Sequence, residues 1–317
     1  MSLHEVEPAP STVHGCFSRD LPPILTVDPG DRIRYRTLDA GWSLIEQADP
    51  YGLPAKFERP DPKRDRGHAL CGPVAVRGAK AGMTLVVRLI SIRTGRWGWS
   101  SAGGWKSALN DRLGVAEGEE RVLRWALDPD QGTATNQHGR TLRLRPFLGL
   151  IGMPPAEPGA HPTIPPRFCG GNIDCKELIA GSTLYLPIAV DGALLSLGDG
   201  HGMQGDGEVA GPALECPMDP VEIEVGLADP LPIAMPRART PDAWITFGFH
   251  EDLDEAMATA LDSMLSLMNE LHGIERREAL SLASLAVDLR ITQVVNGVRG
   301  VHAVLRDGAI GQTSMLA

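Results

Sequence analysis

The sequence predicts a mainly β protein of the α+β class, with strands filling about the first 250 residues and helices held back to the end. Three observations carry that expectation. The chain of 317 residues holds 36 glycines and 26 prolines, scattered without a short repeat. That pattern excludes collagen-like and low-complexity chains and implies many turns between short elements. Apolar and polar residues alternate over several short runs, the period of a half-buried strand. Helical periodicity appears late, unlike the regular strand–helix alternation of a doubly wound fold.

The elements follow in order. Ile24 to Val27 and Arg32 to Leu38 read as strand, turn, strand. Ile33, Tyr35 and Thr37 alternate with Arg32, Arg34 and Arg36, and Pro29-Gly30 sets a fixed φ before a residue tolerant of positive φ. A similar unit joins Pro73–Val76 to Thr84–Ile92 through a Gly/Ala turn. The stretch 96–120, rich in Trp, Gly and Ser, has no period and is expected to be an ordered loop or lid. Its tryptophans either line a pocket or pack against the body. Strands at 121–127 and 140–145 enclose a polar turn, so 96–146 forms an irregular insert. Thr183–Val190 and Ala193–Leu197 read as buried strands joined at Asp191-Gly192, and Val221–Val225 as another.

The Pro-rich stretch 229–241 is a connector, dividing a β-rich body (1–228) from a C-terminal α/β portion (229–317). There Asp252 and Glu255 form a capping box with Asp in place of Ser or Thr. Leu253, Met257, Ala260, Leu261, Met264, Met268 and Leu271 then share one helical face. A second helix spans Glu275–Ala286, followed by strands at Leu289–Val295 and Val301–Leu305.

With 30 basic and 40 acidic side chains the net charge is −10. No Lys/Arg stripe offsets it, which argues against nucleic acid as a partner. No apolar run reaches the ~18 residues of a membrane helix, and the first thirty residues lack a basic start and an apolar stretch. The expected location is the cytoplasm, with no membrane partner. Five cysteines, at 16, 71, 169, 175 and 216, are an odd count that fits buried free thiols rather than a disulfide framework.

One segment stands apart. Residues 198–208 (Gly-Asp-Gly-His-Gly-Met-Gln-Gly-Asp-Gly-Glu) hold five glycines, three carboxylates and His201 directly after a buried strand. Glycine at that density has the greatest entropy to lose on folding, so it needs a reason such as tight turns or close backbone approach to a ligand. Carboxylates beside an imidazole at Asp-x-His spacing suit a divalent cation such as Zn²⁺ or Mn²⁺. A solvated surface loop is the plain alternative. Calcium-binding glycine loops come in tandem, and this one is single. A second cluster, Gly170-Gly171-Asn172-Ile173-Asp174, forms either a backbone nest for an oxyanion or an ordinary Asx-turn.

Taken together, several runs resemble the acetamidase/formamidase family. They include His14 through Asp20-x-Pro22-Pro23 with Pro29-Gly30-Asp31, Gly72-Pro73-Val74-Ala75-Val76, and Leu150-Ile151-Gly152. They continue with Gly170 to Asp174, Gly181 to Pro187, the 198–208 loop and Asp288 to Val295, so the resemblance runs from about residue 12 to 306.

The resemblance implies a β-sandwich-like body with a β/α portion, a homo-oligomer, and hydrolysis of a short linear amide to carboxylate and ammonia. It also implies a divalent metal, Zn²⁺ first, with Ca²⁺ as a second ion. Asp199, His201, Asp174, His14 and Asp39 are its expected ligands. Glu208 is the expected general base and later acid, with Asp174 also at the reaction centre, and Asn172 with Gly171 recognises the amide. Two departures stand out: Cys169 replaces a His before Gly-Gly-Asn, and Gly202-Met203 replaces Ala-Ala. His68 is a lesser site candidate, and His250, His272 and His302 are read as packing or surface residues. The alternatives are a non-catalytic β-sandwich binding module and a metal-dependent enzyme of the same fold with another substrate.

Overall fold

The computed structural model describes residues 1–228 and 231–311. Strand β1 (Leu3–Val6) is followed by β2 (Val13–His14), β3 (Leu25–Val27), β4 (Arg32–Thr37), β5 (Leu70–Val76), β6 (Thr84–Thr94) and β7 (Trp97–Ala102). After the short helix α1 (Ala108–Leu113) come β8 (Arg121–Asp128), β9 (Thr133–Asn136), β10 (Thr141–Arg143), β11 (Phe147–Gly152) and β12 (Gly170–Asn172). Then follow β13 (Thr183–Pro187), β14 (Leu195–His201), β15 (Met218–Ala228), β16 (Arg237–Arg239) and β17 (Ala243–His250). Helices α2 (Leu253–His272) and α3 (Arg276–Ala286) precede β18 (Val287–Gln293) and β19 (Arg299–Arg306). The fold is mainly β, as the sequence predicts, with the two longer helices late.

Three sheets are present among the described residues. A nine-stranded sheet runs β1-β4-β15-β6-β13-β16-β17-β19-β18, and a six-stranded sheet runs β12-β11-β14-β5-β2 with β3 added beside β5. Val27, Val74 and Leu197 from the six-stranded sheet share one core with Ile33, Leu85, Leu184 and Ile223 from the nine-stranded sheet. Along β4, Ile33, Tyr35 and Thr37 point into that core. The intervening Arg34 and Arg36 reach carboxylates of β15, Arg34 to Glu222 at 3.0 Å and Arg36 to Asp219 at 2.9 Å.

The strand–turn–strand units do not fold as hairpins. β3 and β5 lie in the six-stranded sheet, while β4 and β6, which follow them, lie in the nine-stranded one. The same holds for β13 and β14: β13 pairs with β6 and β16, and β14 with β11 and β5. Each connection arches between sheets, so both strands aim apolar side chains at the same core. The turn at 190–194 is correspondingly sharp, with Ala193 and Leu194 at φ 64° and 62°.

The stretch 96–120 holds regular structure where a loop is expected, while the expected strands at 121–127 and 140–145 correspond to β8 and β10. β7 to β10 form a four-stranded sheet in the order β10-β9-β8-β7. Helix α1 is closed by Ser107 at its N-cap and Gly114 at its C-cap. Gly98 between the tryptophans of β7, and Ser100 and Ser101 after them, weaken its strand signature. The 228/229 boundary falls within one sheet: β13 pairs with β16, and Ala238, Ile245 and Phe247 belong to the same core as Leu184. Helix α2 begins at Asp252, whose carboxylate accepts hydrogen bonds from the backbone N–H groups of Asp254 and Glu255. Its Ala256, Ala260, Met264 and Met268 form a second core with Ala279 and Ala283 of α3 and Val301, Ala303 and Leu305 of β19. No helix among the described residues is long and apolar enough to cross a membrane.

Candidate metal and active site

The site lies at the end of the six-stranded sheet, where β14 runs between β11 and β5. The first four residues of the glycine-rich segment belong to β14, and the loop proper starts at Gly202. Asp199 and His201 therefore point from a buried strand rather than from a surface loop. β12 pairs with the far side of β11, and Asp174, just beyond it, donates its backbone N–H to the Gly149 carbonyl at 3.1 Å. This contact sets Asp174 beside Asp199.

Gly149 makes the convergence possible. A Cβ there would stand 2.6 Å from His201 Cε1, 2.7 Å from Asp174 Oδ1 and 2.7 Å from Asp199 Oδ2. The backbone itself is bent toward this spot: among the described residues six non-glycine residues have positive φ, and Asp174, Asp199 and Glu208 are three of them, at 53°, 55° and 46°. Left-handed backbone costs about 1–2 kcal/mol at such residues, and strain of this kind clusters at functional sites.

The loop returns Glu208 and then Glu215 to the same place. The N–H of Gly207 donates to the Thr292 carbonyl, and that of Val294 to the Gly207 carbonyl, both at 3.1 Å. Asp206, the third carboxylate of the segment, is occupied as a pin, accepting from Arg290 Nε at 2.8 Å with Lys176 Nζ 3.2 Å away. Glu215 is aligned by a two-way backbone pairing with Trp99, at 2.8 and 2.9 Å.

Two overlapping groups of ligand atoms result, Asp174/Asp199/His201 and His201/Glu208/Glu215, each within 4.8 Å. Asp174 Oδ1, His201 Nε2, Glu208 Oε2 and Glu215 Oε2 are buried with no hydrogen-bond partner. Gln204 explains how the imidazole is set. Its amide N–H₂ donates to the Asp174 carbonyl at 2.7 Å, so its Oε1 is left to accept from His201 Nδ1 at 3.0 Å. That fixes the proton on Nδ1 of the neutral ring and turns the Nε2 lone pair toward Asp199 and Glu215, at 3.4 and 3.3 Å. A lone pair facing carboxylates is compensated only by a proton or a cation. Oxygen donors with one imidazole and an outer hydrogen bond on its far nitrogen suit a divalent metal.

The electrostatics are those of a compressed anionic cluster. Burial, reinforced by Asp199, raises Asp174 to about 8. Burial and then Asp174 raise Glu208 well above the ordinary carboxylate range, and burial raises Glu215 too. Burial would lower His201, yet Glu215 and Asp199 together lift it well above its ordinary value. Asp199 is driven the other way: burial opposes its ionisation, but His201 and then His68 hold it charged.

A cavity of about 280 Å³ opens onto the cluster, lined by Asp199, Glu208 and Glu215 together with Asn172, Asn296, His68 and Trp99. Asn172 is 3% exposed, and its Oδ1 has no partner. Asn296 donates to Asp174 Oδ2 at 2.7 Å. Gly171 is buried in β12 and does not line the cavity.

Two expected ligands are held elsewhere. His14 spends both ring nitrogens, one on the Cys16 carbonyl at 2.7 Å and the other on Ser196 Oγ at 2.9 Å, and burial lowers it to about 4. Asp39 accepts from the Ser43 N–H at 2.5 Å and from Trp99 Nε1 at 2.8 Å. Neither belongs to the ligand groups. Cys169 also lies behind the site, its thiol 3.2 Å from the Met153 carbonyl and pushed up to about 11 by burial.

Glu215 and Asn296 are the residues that sequence reasoning missed, whereas Trp99 is one of the tryptophans expected either to line a pocket or to pack against the body. Only Glu215 left a signal, as a lone charge in the apolar run Leu214-Glu215-Cys216-Pro217.

A fold of this kind, with a buried carboxylate–imidazole cluster at the end of one sheet, defines a β protein built around a candidate metal centre. The chain belongs to the acetamidase/formamidase family, whose model matches residues 3–159 and 156–305. A formamidase from Methylophilus methylotrophus is 27% identical over 250 residues, covering 62% of this chain and 59% of that protein. The chain thus spans less than two thirds of that curated relative. The crystal structure of an acetamidase from Bacillus halodurans superposes with a TM-score of 0.82 at 25% identity, covering 95% of this chain and 97% of the other. A recombinant predicted acetamidase/formamidase from Thermoanaerobacter tengcongensis gives 0.83 at 26% identity, covering 97% and 96%.

Proposed function

We propose that this protein hydrolyses a short linear amide to a carboxylate and ammonia, with a divalent metal, Zn²⁺ first, held by Asp174, Asp199, His201 and Glu215. The observation that carries the reading is the set of unpartnered atoms, Asp174 Oδ1, His201 Nε2, Glu208 Oε2 and Glu215 Oε2, converging beside a small cavity in a chain of this family. The names of the formamidase and acetamidase relatives support the substrate class.

Amides resist water because the nitrogen lone pair is delocalised and the amine leaves poorly. Hydrolysis therefore needs an activated water, a stabilised oxyanion and a proton for nitrogen. A bound divalent metal supplies acidification of water and polarisation of a carbonyl. The chain's residues supply the remainder. Asn172 Oδ1 accepts an N–H of the amide and orients its carbonyl toward the cluster. Glu208 Oε2 takes the proton of the attacking water and returns it to the departing nitrogen. Burial raises its pKa, which favours the protonated form that Glu208 takes on between the two transfers.

Four carboxylates carry more negative charge than one dication neutralises. A second ion such as Ca²⁺ makes up the difference. A homo-oligomer in the cytoplasm completes the proposal, supported by five free buried cysteines and by the open edges of the nine-stranded sheet at β1 and β18.

The test measures ammonia release from formamide, acetamide and their homologues, alongside metal content per protomer. Chelation should abolish release, and Zn²⁺ should restore it. Glu208→Gln should lower kcat by about 10²–10⁴ with metal content unchanged. Loss of the metal in that variant would make Glu208 a ligand instead, and wild-type protein inert toward every amide would end the proposal.

A further inference from the structure

The reaction cavity has an apolar side. Trp99 and Pro212 line it together with Ala40, and these are the only groups there suited to an alkyl chain rather than an amide. A second cavity, of about 210 Å³, is lined by Leu53, Pro54, Trp97 and Val122. Trp99 is the one residue common to the two linings, so it stands as the partition between them.

The partition is held from both ends. The Trp99 backbone is paired in both directions with Glu215, a member of the ligand cluster. Its indole Nε1 donates to Asp39 Oδ2 at 2.8 Å. Asp39 is fully buried, and its other oxygen accepts from the Ser43 N–H at 2.5 Å. A buried carboxylate with each oxygen committed to a donor fixes the ring far better than packing alone.

We propose that Trp99, clamped by Asp39, is the wall that sets how long an acyl group this site accepts. Asp39 is then a positioning residue rather than a metal ligand, and the preferred substrate is an amide with a very short acyl chain. The inference rests on the amide reading and narrows it. A wall of this kind acts on each added methylene, at ~10-fold or more where the pocket has no space for it. Replacing the indole by a methyl group would open the reaction cavity toward the second one.

The test is kcat/KM along a ladder from formamide and acetamide to butyramide and valeramide, for wild type, Trp99→Ala, Trp99→Phe and Asp39→Asn. Wild type should fall steeply with chain length. Trp99→Ala should raise the butyramide-to-acetamide ratio by ~10-fold or more, chiefly through KM. Trp99→Phe keeps an aromatic ring in the strand but loses the bond to Asp39, so it should move the ratio several-fold in the same direction and serves if the alanine variant fails to fold.

In Asp39→Asn the new amide nitrogen faces a donor on one side or the other. That variant should relax the ratio with metal content unchanged. An unaltered ratio in the folded Trp99 variants would overturn the wall, and loss of metal from Asp39→Asn would return Asp39 to the ligand set. Should wild type hydrolyse no amide, calorimetric binding of the carboxylate ladder from formate to valerate reads the same wall. A shift toward longer chains in the Trp99 variants then supports the wall although the amide reading has failed, and no shift overturns both.

Discussion

Gly149 shows how one missing side chain can define a centre. A methyl group there meets His201, Asp174 and Asp199 at 2.6–2.7 Å, closer than real Cβ contacts allow. Gly149→Ala should therefore lower metal affinity at least ~10-fold, as misplaced ligands do, while the surrounding β11–β14 pairing keeps the strands in place. Metal titration with circular dichroism checks both parts, and unchanged affinity would mean that the cluster tolerates displacement. Much of this centre was legible beforehand. Asp199, His201 and Glu208 stand close together in sequence, and Asn172 with Asp174 form their own short run, so local spacing was enough. Glu215 and Asn296 were not legible, because they arrive through pairings with Trp99 and with the β18–β19 turn that no spacing encodes. His14 and Asp39 misled for a related reason: a polar residue beside a predicted strand looks available until its neighbours are known.

Among the elements, helices were easiest to foresee and strand partners hardest. The cap at Asp252 and the apolar stripe of α2 depend on residues within a few positions of each other, and the sequence displays them directly. Removing that cap with Asp252→Ala should cost about 1 kcal/mol, measured by chemical denaturation; no loss would show that packing against β17 and β19 alone sets the start of the helix. Strands at 24–27, 32–38, 73–76 and 84–92 were also foreseen, but as strand–turn–strand units with no indication that each unit divides between two sheets. A hairpin and an arch share the same alternating pattern and the same turn residues, and they differ in whether the second strand joins the first sheet or the one facing it. That choice is made by distant strands such as β15, which fills the place beside β4 that a hairpin would have given to β3. The stretch 96–120 was misread for the opposite reason: glycine and serine within β7 hid a strand that Trp97 and Trp99 stabilise through their hydrogen bonds to Ile45 and Asp39.

For the molecule as a whole, the buried cluster ties stability to pH. Without metal, native Asp174 holds its proton up to about pH 8, whereas its ordinary value is 3.8. Over that window the native state binds a proton that the unfolded chain has released, so stability falls as pH rises from about 4 through about 8. Glu208, Glu215 and His201 are shifted the same way. Asp199 is shifted oppositely, so its contribution is lost only in acid. Chelated protein should thus melt at a lower temperature at pH 8 than at about pH 5, with a shallower slope once metal is restored; a flat profile after chelation would contradict this account. The order of the nine-stranded sheet also bears on how the molecule comes into being. β15 lies between β4 and β6, yet it leaves the ribosome roughly 190 residues after β4. At ~5–20 residues per second that is a wait of roughly 10–40 s. During that interval β4 and β6 stand one strand apart in the final map with the strand that joins them not yet made, and the first half of the chain has no finished sheet to settle into. Synthesis, and whatever shelters the nascent chain, is therefore the stage at which this architecture is most exposed to misassembly.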